Sequence, residues 1–285
     1  MLVNRSCNIL IVGLGLIGGS YAKGLKKIGF NVSAIARRQE TIDYALEHEI
    51  IDEGSIKPNP ELIGKADIVV FALYPHVFKE WIGSYQQFFK PGAVLTDVTG
   101  VKSCVVYDIQ NMLRDDVEFI AAHPMAGKEV YGVENADEKI FYGANYIIVP
   151  TDKNTPEAIE LCREIALLLQ FGSISTLSPE EHDQMIGFVS QLTHCIAITL
   201  MNCSDNEKLV DYVGDSFRDL TRIARINENM WCELFLLNKE SLLKEMDKFL
   251  DEFKSLRDEL AAEDADGMKE KMKISTARRA LFDKK

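Results

Sequence analysis

Positive charge is what this chain has least of: 32 lysines and arginines face 44 aspartates and glutamates, a formal net charge of -12 over 285 residues. Nucleic acid and anionic membranes are therefore not expected partners, because phosphate binding draws on a basic surface. Any anionic ligand has to be met by a local positive cluster. Paired cysteines are absent too. The six cysteines, at 7, 104, 162, 195, 203 and 232, contain no C-x-x-C and no metal-like spacing, so they read as reduced packing residues of a cytoplasmic protein with no metal site. There is no internal repeat and no low-complexity tract, and only the lysine-rich end from Asp264 onward is expected to fray.

Long apolar runs free of polar groups are missing as well. The N-terminal MLVNRSCNILIVGLGLIGG mimics a signal peptide, but its glycines fall at fixed offsets and no small-residue cleavage site follows cleanly. It reads as a folded strand and turn. The uncharged stretch from Gln184 to Ser204 carries Gln191, Thr193, His194, Thr199 and Asn202, too polar for a bilayer span, and reads as a helix buried in protein. With 47% hydrophobic and 27% charged residues the composition is that of a soluble enzyme or binding protein long enough for two domains.

What is present falls into two halves. From residue 8 to about 177, strand-like runs (NILIV, NVSAIA, IVVFAL, AVLTDV, EFIAA, NYIIVP, SISTL) alternate with helix-like ones, which predicts a mostly parallel sheet with helices on both faces. At Ser178-Pro179-Glu180-Glu181 a capping box with proline at the first helical position opens an all-helical remainder. The expected division is a Rossmann-type α/β domain over 1–177 and a helical domain over 178–285. Within the latter, Leu242, Met246, Phe249, Phe253, Leu256 and Leu260 follow a 4, 3, 4, 3, 4 spacing, a coiled-coil-like seam that serves either its own domain or a subunit interface.

Strand NILIV runs into Gly13-Leu14-Gly15-Leu16-Ile17-Gly18, a dinucleotide fingerprint in its proper strand-turn-helix context. Gly13 makes the turn, Gly15 admits the pyrophosphate, Gly18 lets helix and strand approach, and the anion rests on the helix N-terminus. After the second strand the chain reads Ala36-Arg37-Arg38. No carboxylate is there to bond a ribose 2'-hydroxyl, and two guanidiniums can fork a phosphate. NADP is therefore expected over NAD, unless the arginines are solvated surface charges.

Ligands of open parallel sheets gather beyond the carboxyl ends of the strands. Three motifs end strands there: Leu73-Tyr74-Pro75, Asp97-Val98-Thr99-Gly100-Val101-Lys102 and His123-Pro124-Met125-Ala126-Gly127. Proline pushes its predecessor extended, so His123, one of only five histidines, is expected at the end of a strand on the cofactor side. An imidazole there suits a general base at neutral pH. The positive cluster is Arg218, Arg222 and Arg225, spaced to share one helix face and matched to a carboxylate, although such spacing usually marks a solvated face. His194 on the uncharged helix needs a partner if buried; His182 beside Asp183 reads as structural, and His48 and His76 carry no motif.

Together GLGLIGGS, the D-x-x-x-x-K of Asp97 to Lys102, HPMAGKE at 123–129, S-x-L-x-H at 190–194 and FRDLTRIA at 217–224 resemble the prephenate/arogenate dehydrogenase family of tyrosine biosynthesis. The resemblance spans nearly the whole chain, and HPMAG and FRDLTRIA are its specific motifs. It implies oxidative decarboxylation: hydride passes to the nicotinamide of NADP or NAD, and loss of carbon dioxide completes an aromatic ring. By carry-over His123 takes or polarises the 4-hydroxyl proton, Arg222 holds a substrate carboxylate, and His194, Arg218 and Glu129 line the pocket. The helical domain is then a homodimerisation domain, and no appended regulatory domain is expected after about residue 280. Three departures stand out. The family's serine falls on Gly100, leaving Thr99 as the nearby hydroxyl expected to replace it; Lys128 replaces a small polar residue; Gln191 stands where many members have histidine. The rivals are a β-hydroxyacid dehydrogenase of the 3-hydroxyisobutyrate type, whose lysine base has no counterpart between 179 and 203, and a catalytically silent dinucleotide sensor.

Overall fold

In a computed structural model, residues 5–282 are described; residues 1–4 of the signal-like stretch and the last three lysine-rich positions lie outside them. Six strands form a wholly parallel sheet in the order β3-β2-β1-β4-β5-β6. They are β1 (Asn8–Val12), β2 (Asn31–Ile35), β3 (Glu53–Ser55), β4 (Ile68–Phe71), β5 (Val94–Asp97) and β6 (Glu118–Phe119). Strands β1 and β4 are almost uniformly apolar and buried, as a sheet covered on both faces requires. Helices α1 (Leu16–Ile28), α2 (Gln39–Glu47), α3 (Pro60–Lys65), α4 (Pro75–Tyr85) and α5 (Ser103–Met112) supply the cover.

The run EFIAA is not one strand. After β6 the chain leaves the large sheet at Ile120 and enters β7 (Ala121–Met125), the edge of a second sheet of order β7-β8-β9 with β8 (Asn145–Val149) and β9 (Ser173–Thr176). His123 thus lies inside β7, opposite Ile147 of antiparallel β8, rather than at a strand end. The edge position explains why Pro124 is accepted within a strand, since its missing N–H faces no ladder partner. Alternation buries Ala122 and Pro124 and leaves His123 and Met125 partly open on the other face. Helix α6 (Pro156–Leu168) backs this sheet, with Ala158, Leu161, Cys162 and Ile165 buried.

The capping box forms as expected, with Ser178 and Glu181 exchanging bonds, and starts α7 (Pro179–Ile186). A wider π-helical stretch over Gly187–Leu192 joins it to α8 (Thr193–Asn202). Then follow α9 (Asp215–Thr221), α10 (Glu228–Leu237), α11 (Lys239–Ala261) and α12 (Ala265–Arg279). The end from Asp264 is therefore helical up to Arg279 rather than frayed, with the Asp264 side chain capping α12. The stretch Pro179–Asn202 is long and apolar enough to cross a bilayer by length and composition alone, and only 28% of its most apolar window is buried. The expectation that it is buried in protein fails within one chain: Met185, Phe188, Val189 and Met201 are exposed. Cys203 and Cys232 are exposed as well, so they are not packing residues of this chain.

Candidate active site

The fingerprint turn divides its labour sterically. Gly13 has φ +99°, and a Cβ there would sit 2.3 Å from the Ala72 carbonyl oxygen, while one on Gly18 would sit 2.0 Å from that of Gly13. Both positions are closed to any side chain by the protein itself. At Gly15 a Cβ meets nothing within 4 Å. Packing therefore does not explain that glycine; open space before the first turn of α1, with Leu16, Ile17 and Gly18 presenting backbone N–H groups and no side-chain cap, fits a pyrophosphate. At the end of β2, Arg37 and Arg38 are exposed. Leu73 and half-exposed Tyr74 follow β4, and the Tyr74 hydroxyl accepts from Asn227 Nδ2 at 3.3 Å.

Beyond β5 the chain is held by a fully buried ion pair. Lys102 Nζ donates to Asp97 Oδ2 at 2.7 Å and to the Ala122 carbonyl at 2.7 Å, and Asp97 Oδ1 accepts the Ala122 N–H at 3.2 Å. Burial pulls the Lys102 ammonium down from its ordinary value while Asp97 pulls it back up. This knot fastens the β5 loop to β7 immediately before His123. It also corrects the reading of Thr99. That hydroxyl is buried, bonded to Asp97 Oδ2 and to the Val101 carbonyl, and approached by Lys102 Nζ, so it is consumed by the knot and does not replace the family serine. Gly100 beside it is open: a Cβ there would meet only Leu234 of α10, at 3.6 Å.

His123 Nδ1 lies 2.9 Å from His182 Nε2, and His182 Nδ1 lies 2.8 Å from Asp183 Oδ1. Burial, followed by the neighbouring His182 and Lys102, holds the His123 imidazole well below its ordinary value. It is neutral at neutral pH and able to accept a proton. Sequence reasoning missed His182, which it took as structural; the histidine-aspartate pair in the first turns after the capping box was the available signal.

The helical half contributes the rest. Arg222 is ion-paired with Glu129, which sits on the loop leaving β7, so the guanidinium reaches the HPMAGKE segment that carries His123. His194 is half-buried, with Nδ1 on the Ser190 carbonyl at 2.8 Å and its ring 3.6 Å from that of Trp231. Burial lowers its pKa, with the Ser190 carbonyl and the charge of Glu129 acting against that shift and the charge of Arg222 acting with it. The shared arginine face is not formed. Helix α9 stops at Thr221, Arg222 starts a 3-10 turn and Arg225 follows in extended backbone. Arg225 lines a separate hollow with Ile198 and Met201, and Arg218 is exposed. Lys128 lies 3.7 Å from Asp137. Gln191 is buried, giving Nε2 to the Leu234 carbonyl at 3.0 Å and accepting from Asn238 at 2.7 Å; it braces helices instead of facing a ligand.

A glycine fingerprint in a parallel-sheet domain, a neutral imidazole on the same domain, and a guanidinium of the helical half paired with the loop that follows that imidazole are together the parts of a nicotinamide-dependent dehydrogenase. Comparison with known proteins is specific. The family model for the nucleotide-binding domain of prephenate dehydrogenase matches residues 21–173, and that for its dimerization domain matches 178–274. The chain belongs to the prephenate dehydrogenase family of NAD(P)-dependent oxidoreductases of tyrosine biosynthesis. It is 36% identical over 253 residues to a prephenate dehydrogenase of Lactococcus lactis, covering 85% of this chain and 68% of that one. A cyclohexadienyl dehydrogenase of Zymomonas mobilis is 28% identical over 287 residues, covering 96% of each. The crystal structure of prephenate dehydrogenase from Aquifex aeolicus with hydroxyphenyl propionate and NAD+ superposes with a TM-score of 0.89 at 29% identity, covering 98% of this chain and 99% of that one.

Proposed function

We propose that the protein converts prephenate to 4-hydroxyphenylpyruvate by NADP-dependent oxidative decarboxylation, with arogenate as the competing substrate. The observation that carries this reading is the Arg222–Glu129 pair: it brings a carboxylate-binding group of the helical lobe onto the loop that follows His123. His123 accepts the proton of the ring hydroxyl, Arg222 receives a substrate carboxylate on release from Glu129, and His194 with Glu129 lines the pocket wall. Arg218 and Gly100 complete the set of residues assigned to the substrate in this reading. When bound, the nicotinamide takes the hydride. Gly13, Gly15, Leu16, Ile17 and Gly18 form the cradle, with Leu73 and Tyr74 along its side.

NADP is favoured over NAD because Arg37 and Arg38 at the end of β2 are exposed and neither is ion-paired among the described residues, which leaves two guanidiniums for a 2'-phosphate. Residues 1–177 form the dinucleotide domain and 178–285 the helical domain. The second domain makes a homodimer: Phe249, Phe253, Leu256 and Leu260 of the α11 seam are exposed and only Leu242 at its start is buried, so the seam is uncovered by its own chain. Free thiols at Cys203 and Cys232 on the surface suit a reducing cytoplasm. The deciding assay crosses prephenate and arogenate with NAD and NADP and follows reduced-nicotinamide absorbance. Turnover is expected with prephenate and NADP. A clear NAD preference refutes the cofactor assignment, and no turnover of either cyclohexadienol refutes the reaction.

A further inference from the structure

His182 is completely buried, has no task in the reaction just described, and touches the catalytic imidazole. Its hydrogen bonds have only one consistent direction. Asp183 Oδ1 accepts the Lys102 backbone N–H at 2.8 Å, and Oδ2 accepts that of Ser103 at 2.8 Å; backbone donors cannot reverse. Burial raises the Asp183 carboxyl, but the His182 and Ser103 bonds outweigh it and leave it below the usual value. The carboxylate is therefore an acceptor only, and His182 Nδ1 must carry the proton it donates.

A neutral imidazole with Nδ1 protonated has a bare Nε2. Burial is the main cause that keeps His182 neutral, with Lys102 acting in the same direction against Asp183. Its Nε2 can then only accept, so His123 Nδ1 must donate across the 2.9 Å contact. That leaves His123 Nε2 with its lone pair free. We propose that His182 and Asp183 are positioning residues which fix His123 in the one tautomer able to take a proton at Nε2. The proposal rests on the dehydrogenase reading above.

The lobes meet in this chain of bonds. Asp183 is carried by α7, and its carbonyl is gripped by Asn238 Nδ2 at 2.8 Å, while His123 belongs to β7. When the substrate hydroxyl passes its proton to His123 Nε2, the new imidazolium still donates from Nδ1 to His182, which donates onward to Asp183. The positive charge is met without movement of any atom but the proton. Acid reverses the polarity. Doubly protonated His182, facing Asp183, Asp97, Lys102 and His123, has no acceptor to offer, and His123 then has to accept at Nδ1 and hold its proton at Nε2. The base is lost although its own ring is uncharged.

Two variants of the full chain and one spectrum test this. His182→Leu removes the chain; His182→Gln keeps its polarity, because the amide N–H faces Asp183 and the amide oxygen accepts from His123. With prephenate and NADP, the leucine variant is expected to lose about 10–100-fold in kcat with KM little changed. The glutamine variant should recover most of that loss and move the acid limb of the pH profile, since it does not titrate. Equal impairment of both, or of neither, in protein of native melting temperature overturns the proposal. The 15N chemical shifts of His123 in the unliganded wild type decide it without activity and without either variant folding. Protonation at Nδ1 is expected, and protonation at Nε2 overturns the proposal. Absence of wild-type turnover counts against the reaction instead, and leaves the spectrum to judge the tautomer.

Discussion

The two halves of the molecule solve the burial problem differently. Around the large sheet, Ile9, Leu10, Ile11, Val69, Val70 and Leu95 are inaccessible to solvent, and two hydrophobic clusters close on either face. In the helical half Phe188 is 56% exposed, Phe253 61% and Leu260 64%. The first half is complete as one chain; the second presents an apolar surface larger than isolated side chains account for. Chemistry follows the same split. Groups such as Gly13, Lys102 and His123 sit on the closed half, and the groups proposed to meet and release substrate, Arg222 and His194, are carried by the half that matches the family's dimerization domain.

The largest effect expected from breaking this division is at the rigid side. His123→Ala should lower kcat by about 10²–10⁴-fold, the usual contribution of a positioned general base, while the dissociation constant for the dinucleotide, read by fluorescence titration, stays unchanged. Among the described residues the imidazole bonds to His182 and not to the glycine turn, which is why the two readouts separate. Retained turnover removes His123 from the mechanism.

On the open side, Phe253→Asp together with Leu260→Asp places two charges in the exposed seam. The protein should change from twice its 32.1 kDa chain mass to a single chain in light scattering. Burying a carboxylate at an interface costs several kcal/mol unless it is paired. The dinucleotide affinity of the first half should survive, since its core is closed without the seam. A dimer unaffected by both charges places the interface elsewhere.

Within the first half, the comparison sharpens to single glycines. Gly18→Ala forces a methyl against the Gly13 carbonyl and should destabilise the fold by about 1–3 kcal/mol, visible as a lower melting temperature without any ligand. Gly15→Ala should leave that temperature unchanged and weaken dinucleotide binding, because its Cβ meets only open space. Equal behaviour of the two would mean that the turn does not discriminate packing from binding.

How much of this could be read from residues alone depended on range. The fingerprint turn was legible because each glycine answers to neighbours set by the same turn, and the helix start at Ser178 because a capping box is local chemistry. His123 was legible by motif, yet its strand was misplaced: EFIAA looks continuous, and only the departure of the chain at Ile120 into a second sheet divides it. Thr99 had the right hydroxyl in the wrong direction, since the fully buried Lys102–Asp97 pair that claims it exists only once β5 and β7 are side by side. Arg218, Arg222 and Arg225 were assigned one face on the assumption of an unbroken helix, which α9 is not. The His182–His123 contact spans 59 positions, and no pattern within either segment announces the other.

The smallest expected effect lies where the halves touch. Gly100 faces Leu234 with room for a methyl at ordinary contact distance, and its backbone carries no positive φ, so Gly100→Ser should change stability by no more than about 0.5 kcal/mol. The activity change should be correspondingly slight, since His123 Nδ1 is already held by His182 and a new hydroxyl has no vacancy to fill on that nitrogen. Steady-state kinetics beside a thermal melt would read both. A steep fall in activity with an unchanged melt would show that the site is tighter over residue 100 than the 3.6 Å clearance to α10 implies, which would make Leu234 of the helical half the wall that sets the fit of the substrate.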